Sequence, residues 1–379
     1  RPSRFIHAPT NTPICLLPAS RIYRSYRLLR RGSLSLYGAN ETQSFKDIQD
    51  DNTVRRSLLT PIKDLAKSFG TYLATPLGLL ATELKRENCQ AILCQEYEYA
   101  RFDTAVLLGK MVNLPVFATF QGGDRTQSWL EILPRHLSFR NCQGVIVPTK
   151  TEIQRIQSCY RIPVHKIAQI FNPLDISAWE KIDRQKARTA IDIPLDAKVV
   201  IWHGRVEIER KGLDILLAAW QNICNERSDQ DLRLWLLGTG SDAEKLQQKI
   251  DSMQLKGILW LNEFISDRTV IQTHLCAADV YAFPSRQEGF PLAPIEAMAC
   301  SLPVVAADAP GIPDIFAEGE VSGGIVVPRG EAIAFTSALD QLLDNQTRCR
   351  ELGKRARHRA ETCFSPQLIG QQLSSFLLN

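Results

Sequence analysis

Short apolar runs of four to six residues recur along the chain, each followed by a longer stretch whose apolar positions are spaced three and four apart. Runs that are apolar without alternation fit strands buried on both faces, and the longer stretches fit amphipathic helices. The pattern therefore predicts parallel sheets covered by helices. In the first half it predicts strands over 91–94, 115–120 and 144–148, a helix over 99–112, and a helix over 151–157 that Thr149 or Thr151 can cap. In the second half it predicts strands over 199–203, 232–237, 258–261, 280–283, 304–307 and 325–327, with closing helices over 331–343 and 350–361. Between 170 and 183 the periodicity lapses into FNPLDISAWEKID, which reads as an interdomain linker. The expected organisation is α/β, with doubly wound domains over 1–175 and 176–355 and a C-terminal helix over 356–379 that can pack back on the first domain. Two such domains facing each other form a central cleft at the carboxyl ends of their strands, where ligands bind.

The length of 379 residues agrees with two domains. Ten cysteines without a C-x-x-C pair read as reduced thiols of a cytoplasmic protein. The most apolar stretch, 73–81, is interrupted by Pro76 and Gly78 and is too short to span a bilayer. The net charge of +4 is uneven, since seven arginines and no acid precede Glu41. Within that block Arg21, Tyr23, Arg24, Tyr26, Arg27, Leu28, Leu29, Arg30 and Arg31 read either as a peripheral contact with anionic lipid or as a solvated arginine-rich loop. No binding module for nucleic acid accompanies them, so no nucleic-acid partner is expected. The chain opens on Arg1, and its first residues lack a clean strand, glycine turn and helix, so an N-terminal piece is expected to be absent.

Two segments carry candidate chemistry. VVIWHGRVEIERKGLDILLAAW places Gly204 and Arg205 at a strand end and Lys211 and Gly212 just before a helix. Arginine can fork two hydrogen bonds onto a diphosphate and lysine adds a compact charge, although the segment alone is also an ordinary loop with solvated cations. PSRQEGFPLAPIEAMACSLPVVAAD places Glu288 and Glu296 eight positions apart around a turn opened by Gly289, with Pro294 suited to the first turn of a helix. A carboxylate at Glu296 can accept both hydroxyls of a diol such as ribose, and one at Glu288 can contact a sugar or stabilise positive charge on it. Taken bare, two acids at this spacing are solvated faces. Together the segments suit sugar transfer from a nucleotide diphosphate, in which negative charge grows on the leaving group.

At these residues the chain resembles retaining glycosyltransferase family 4, the group 1 glycosyltransferases of GT-B fold. Gly204-Arg205 and Lys211-Gly212 are similar to its phosphate-binding loop, with five residues between the pairs where four are usual. Glu288 to Glu296 is similar to its E-x7-E signature, and Asn172 and Asp175 to its domain-junction segment. The resemblance implies catalytic roles for Glu288, Arg205 and Lys211. It implies a donor site of Gly204, Arg205, Lys211, Glu288, Gly289, Phe290, Leu292 and Glu296, in which Gly289, Phe290 and Leu292 offer amides. Pro291 stands where a glycine is common, and Gln121-Gly122 where many members have His-Gly facing the donor sugar. The resemblance further implies a UDP- or GDP-sugar donor, an acceptor-side N-terminal domain, and a polysaccharide, lipid-linked glycan or small-molecule acceptor. Retention by front-face attack, no metal and no cofactor complete the expectation.

Other readings compete. Gly238-Thr239-Gly240-Ser241-Asp242-Ala243, with Glu263 after the next strand, has the form of a dinucleotide fingerprint, which would make the chain an NAD-dependent oxidoreductase, or is a tight turn with Ser241 or Asp242 capping the next helix. Asp229-Gln230-Asp231 has the form of a metal-binding D-x-D, or is a solvated turn. His203 ends an apolar strand and can line the cleft. Gln121 cannot take up a proton, which leaves a non-catalytic sugar-nucleotide-binding protein as the alternative to an enzyme.

Overall fold

The computed structural model describes residues 2–7, 12–26, 70–122 and 129–378. Arg27, Leu28, Leu29, Arg30 and Arg31 of the basic block lie outside the described residues. The chain separates into two compact units, one comprising 1–120, 124–146 and 156–168, the other 121–123, 147–155 and 169–379.

In the first unit β1 (Ser3–His7) pairs antiparallel with β2 (Thr12–Leu16), Phe5 opposite Ile14. Apolar periodicity missed both strands, because nearly every position is exposed and no buried face imposes alternation. Helix α1 (Leu77–Arg86) is followed by β3 (Ile92–Gln95), α2 (Ala100–Val112), β4 (Val116–Thr119), α3 (Trp129–Asn141), β5 (Gly144–Val147), α4 (Lys150–Tyr160), whose residues up to Arg155 belong to the second unit, and β6 (Ile167–Gln169). The sheet order is β3-β4-β5-β6, and β4 runs parallel to both of its neighbours. Helix α2 ends at Asn113, whose left-handed φ of 57° stops propagation. Helix α4 starts where Thr149 Oγ1 accepts from the Glu152 amide at 3.1 Å. Between α2 and α3 the buried Arg135 forks onto Asp103 at 3.0 and 3.2 Å, and Tyr72 Oη donates to the same carboxylate at 2.8 Å.

The second unit contains α5 (Arg184–Ala190), β7 (Lys198–His203), α6 (Ile208–Lys211), α7 (Leu213–Glu226), β8 (Leu232–Leu237), α8 (Ala243–Ser252), β9 (Ile258–Leu261), α9 (Arg268–Ala277) and β10 (Val280–Phe283). It continues through α10 (Ala293–Ala299), β11 (Val304–Ala307), α11 (Ile312–Ile315), β12 (Gly324–Val327), α12 (Ala332–Leu343), α13 (Gln346–Cys363) and α14 (Pro366–Leu378). Six parallel strands are ordered β12-β11-β10-β7-β8-β9. The chain builds outward from β7 to β9, then crosses to β10 and builds the other way, which is the doubly wound arrangement with its switch point between β7 and β10.

Both faces of the central strands of this sheet are buried, so they read as continuous apolar runs, whereas the edge strand β9 exposes Leu259 and Leu261. Val199, Ile201, Trp235, Leu237, Tyr281 and Phe283 point into one core. Val200, Trp202, Leu234, Leu236, Val280 and Ala282 point into the other. The segment expected as a linker is anchored in the first of these cores: Ile176 and Trp179 are buried there, and the Leu174 amide donates to the Phe364 carbonyl at 2.8 Å. Among the described residues no helix is long and apolar enough to cross a membrane.

Candidate active site

The carboxyl ends of β7 and β10 flank the switch point, the place in such sheets where ligands bind. From β7 the chain leaves through His203, Gly204 and Arg205 into α6. From β10 it leaves through Pro284 toward Glu288 and α10. The two loops are joined through their backbones, since the amides of Arg286 and Gln287 donate to the Arg210 carbonyl at 2.9 and 3.3 Å. Arg286 adds a fork onto Asp214, 2.7 Å on each arm. Burial pushes the Asp214 carboxyl up, but the Arg286 fork outweighs it and holds the group below the usual carboxylate range. A folded-state value lowered in this way contributes stability above the unfolded value, near ~4, and the contribution is lost as pH falls below it.

The junction brings predicted residues together. Lys211 Nζ lies 2.7 Å from Glu288 Oε1, with the Glu288 side chain 8% exposed and Lys211 19% exposed. Lys211 reaches that position because α6 is a single turn ended by Gly212 in the left-handed region, φ 63°, packed on Pro284. A Cβ at Gly212 would lie 2.0 Å from the Pro284 carbonyl oxygen. Gly212→Ala is expected to destabilise the fold by about 1–3 kcal/mol through backbone strain. Urea unfolding measures that loss, and donor KM should rise in the same variant.

Glu296 lies in the first turn of α10, and its Oε2 is 2.8 Å from His203 Nε2. Periodicity placed His203 at a strand end but could not supply this partner. Below it, burial and then the Glu296 charge push the Tyr281 hydroxyl well above its ordinary value, so it remains an O–H and donates to the His203 carbonyl at 3.4 Å.

Arg205 extends into solvent with 74% of its side chain exposed, 3.5 Å from Glu207. The ring of Phe290 stacks on Phe171 at 5.3 Å and is buried, so Phe290 can face a ligand only with its backbone, whereas Leu292 is partly exposed. Gln121 is exposed, and Gly122 lies against Gly289, where a Cβ on Gly122 would come 2.6 Å from the Gly289 Cα. The predicted site residues thus all belong to the second unit.

The fingerprint-like glycines have a packing role. A Cβ at Gly238 would come 2.1 Å from the Gly204 carbonyl, and one at Gly240 would come 2.3 Å from the Val206 carbonyl. Both therefore let the β8 loop lie against the β7 loop. Of the expectation that Ser241 or Asp242 caps the next helix, the Asp242 half is corrected: Asp242 holds the N-cap position but its side chain makes no capping bond, and Oδ2 instead accepts from the Ile208 amide at 3.0 Å, at the start of α6. In the D-x-D segment Asp231 is held by the Arg233 guanidinium at 3.0 and 2.9 Å.

A doubly wound sheet with cations and carboxylates gathered at its switch point defines a Rossmann-like ligand-binding domain. Residues 183–359 match the family described as Glycosyl transferases group 1. The D-inositol 3-phosphate glycosyltransferase of Corynebacterium diphtheriae is 32% identical over 311 residues, covering 77% of this chain and 72% of that protein. The chain belongs to the group 1 glycosyl transferases. The enzyme of the same name from Gordonia bronchialis is 27% identical over 269 residues, 68% of this chain and 57% of that protein. Among solved structures, Anabaena HepE in complex with UDP superposes with a TM-score of 0.67 at 20% identity, covering 79% of this chain and 81% of HepE. Sucrose-phosphate synthase from Thermosynechococcus elongatus superposes with a TM-score of 0.65 at 20% identity, covering 85% and 79%. The fold is GT-B, with two Rossmann-like domains.

Proposed function

We propose that the protein transfers a sugar, with retention at the anomeric carbon, from a UDP- or GDP-sugar to an acceptor hydroxyl. The observation that carries this reading is the pairing of Lys211 with Glu288 and of His203 with Glu296 across the two loops that flank the switch point, with Arg205 exposed on the first of those loops. Arg205 and Lys211 neutralise the departing diphosphate, Glu288 faces the donor sugar and Glu296 accepts from the ribose hydroxyls. Lys211 has three donors, so it can keep Glu288 and still take a phosphate oxygen. The pair then orients the lysine toward the charge that develops during transfer. Attack occurs on the face the diphosphate leaves, and the departing phosphate takes the acceptor proton, so Gln121 needs no acid or base role. With two cations on the leaving group, the reaction proceeds without a metal ion. Manganese-dependent activity abolished by EDTA would contradict that point.

HepE was solved with UDP and with UDP-glucose, which supports a uridine donor, and the curated relatives are named for D-inositol 3-phosphate, which makes that polyol the first acceptor to assay. A thermal-shift panel of UDP-, GDP- and ADP-sugars with NAD and NADP as controls tests the reading, because a ligand of the folded state raises Tm. Stabilisation by one nucleotide-sugar class that is lost in Lys211→Ala is the expected result. Stabilisation by NAD alone would overturn it.

A further inference from the structure

We infer that His203 is a positioning residue that aims the Glu296 carboxylate at the ribose diol, and that it thereby sets how strongly the site prefers a ribonucleotide. This rests on the assignment of Glu296 to the ribose.

The histidine is held on three sides. It ends β7, its ring packs 5.3 Å from Tyr281, and its backbone carbonyl takes the Tyr281 hydroxyl. Its Nε2 lies 2.8 Å from Glu296 Oε2, and among the described residues its buried Nδ1 has no hydrogen-bond partner. Those contacts assign the tautomer. A lone pair on Nε2 would face the carboxylate, so the proton sits on Nε2 and is donated to Glu296.

An ionised carboxylate has about four lone-pair sites, and His203 occupies one of them. Oε1 is left whole, and one site of Oε2 remains, which is enough for two adjacent hydroxyls. Without the histidine, Glu296 is a side chain on the first turn of a short helix, 22% exposed and able to rotate. Fixing one oxygen therefore places the other. Because Tyr281 and the strand backbone hold the ring, the aim of Glu296 is set by the sheet.

Two variants separate hydrogen bonding from packing. His203→Phe keeps a ring against Tyr281 and removes the donor, whereas His203→Gln keeps a donor near Nε2 and removes the ring. Isothermal titration with UDP and with 2′,3′-dideoxy-UDP, and with the corresponding GDP pair, measures the selectivity for the diol. In the unmodified protein the preference should be about 10- to 100-fold, the value of a hydroxyl bonded to a charged acceptor. His203→Phe should lose most of that preference by weakening the ribonucleotide alone, and His203→Gln should restore it. Unchanged selectivity in His203→Phe, or equal loss in both variants, overturns the inference. Glu296→Gln supplies the frame: if selectivity survives there, the ribose assignment itself falls and this inference falls with it.

Discussion

Lys211→Met is expected to lower kcat/KM by about 10- to 100-fold, which corresponds to loss of a charge-assisted contact of about 1.5–3 kcal/mol in the transition state. Methionine keeps the length of the stem and removes only the ammonium. The same change leaves Glu288 enclosed with no cation beside it. Breaking a fully buried ion pair costs about 3–5 kcal/mol, and the partial exposure of Lys211 reduces that figure here. The double variant Lys211→Met with Glu288→Gln should therefore regain most of the lost stability, because no isolated charge remains. It should regain none of the activity. Urea midpoints and steady-state kinetics on the parent and these two variants test both halves, and recovered turnover in the double variant would mean that the charges serve only each other.

Arg188→Met should have the largest effect on stability, about 5 kcal/mol or more, since it strands four backbone carbonyls at once, while the Asp279 carboxylate keeps Arg184 as its remaining cation. The guanidinium, fully buried, donates to the carbonyls of Ala277, Pro194, Leu195 and Ala197 at 2.9, 2.9, 2.7 and 2.9 Å. It also donates to Asp279 Oδ2 at 2.9 Å, and the same oxygen accepts from the Val199 amide at 2.9 Å. Asp279 directly precedes β10 and Val199 lies at the start of β7, so one side chain ties together the amino ends of the strands that bear the site. Arg188→Lys should not rescue, because an ammonium cannot reproduce the planar fork. Thermal unfolding followed by circular dichroism tests this, and a Tm within a few degrees of the parent in either variant would refute it.

Neither Arg188 nor the site pairings could be read directly from the sequence. RQKARTA gives three cations on one short helix, and nothing in their spacing distinguishes the buried one from the solvated ones. The strands of the second unit were legible because a strand covered on both faces is mostly apolar, and LRLWLL, with Arg233 near its start, and VYAF are bounded as the pattern predicts. The exposed β1 and β2 carry no such constraint and were missed. At the site, glutamates eight apart flanking a turn and a helix start marked the place. The partners of those glutamates lie 77 and 93 positions away, so only the folded sheet decides that Lys211 meets Glu288 and His203 meets Glu296.

The backbone link between the two charged loops bears on the thermodynamics of donor capture. Because Arg210 accepts from consecutive amides across the junction and Asp214 receives the Arg286 fork, the two cation-bearing segments are already immobilised relative to each other. Capture then forfeits little chain entropy at these loops, and affinity reflects contacts with the nucleotide more than ordering of the receptor. In a calorimeter, their contribution to the heat-capacity change should match the surface the ligand covers, without the larger negative value that accompanies folding on binding.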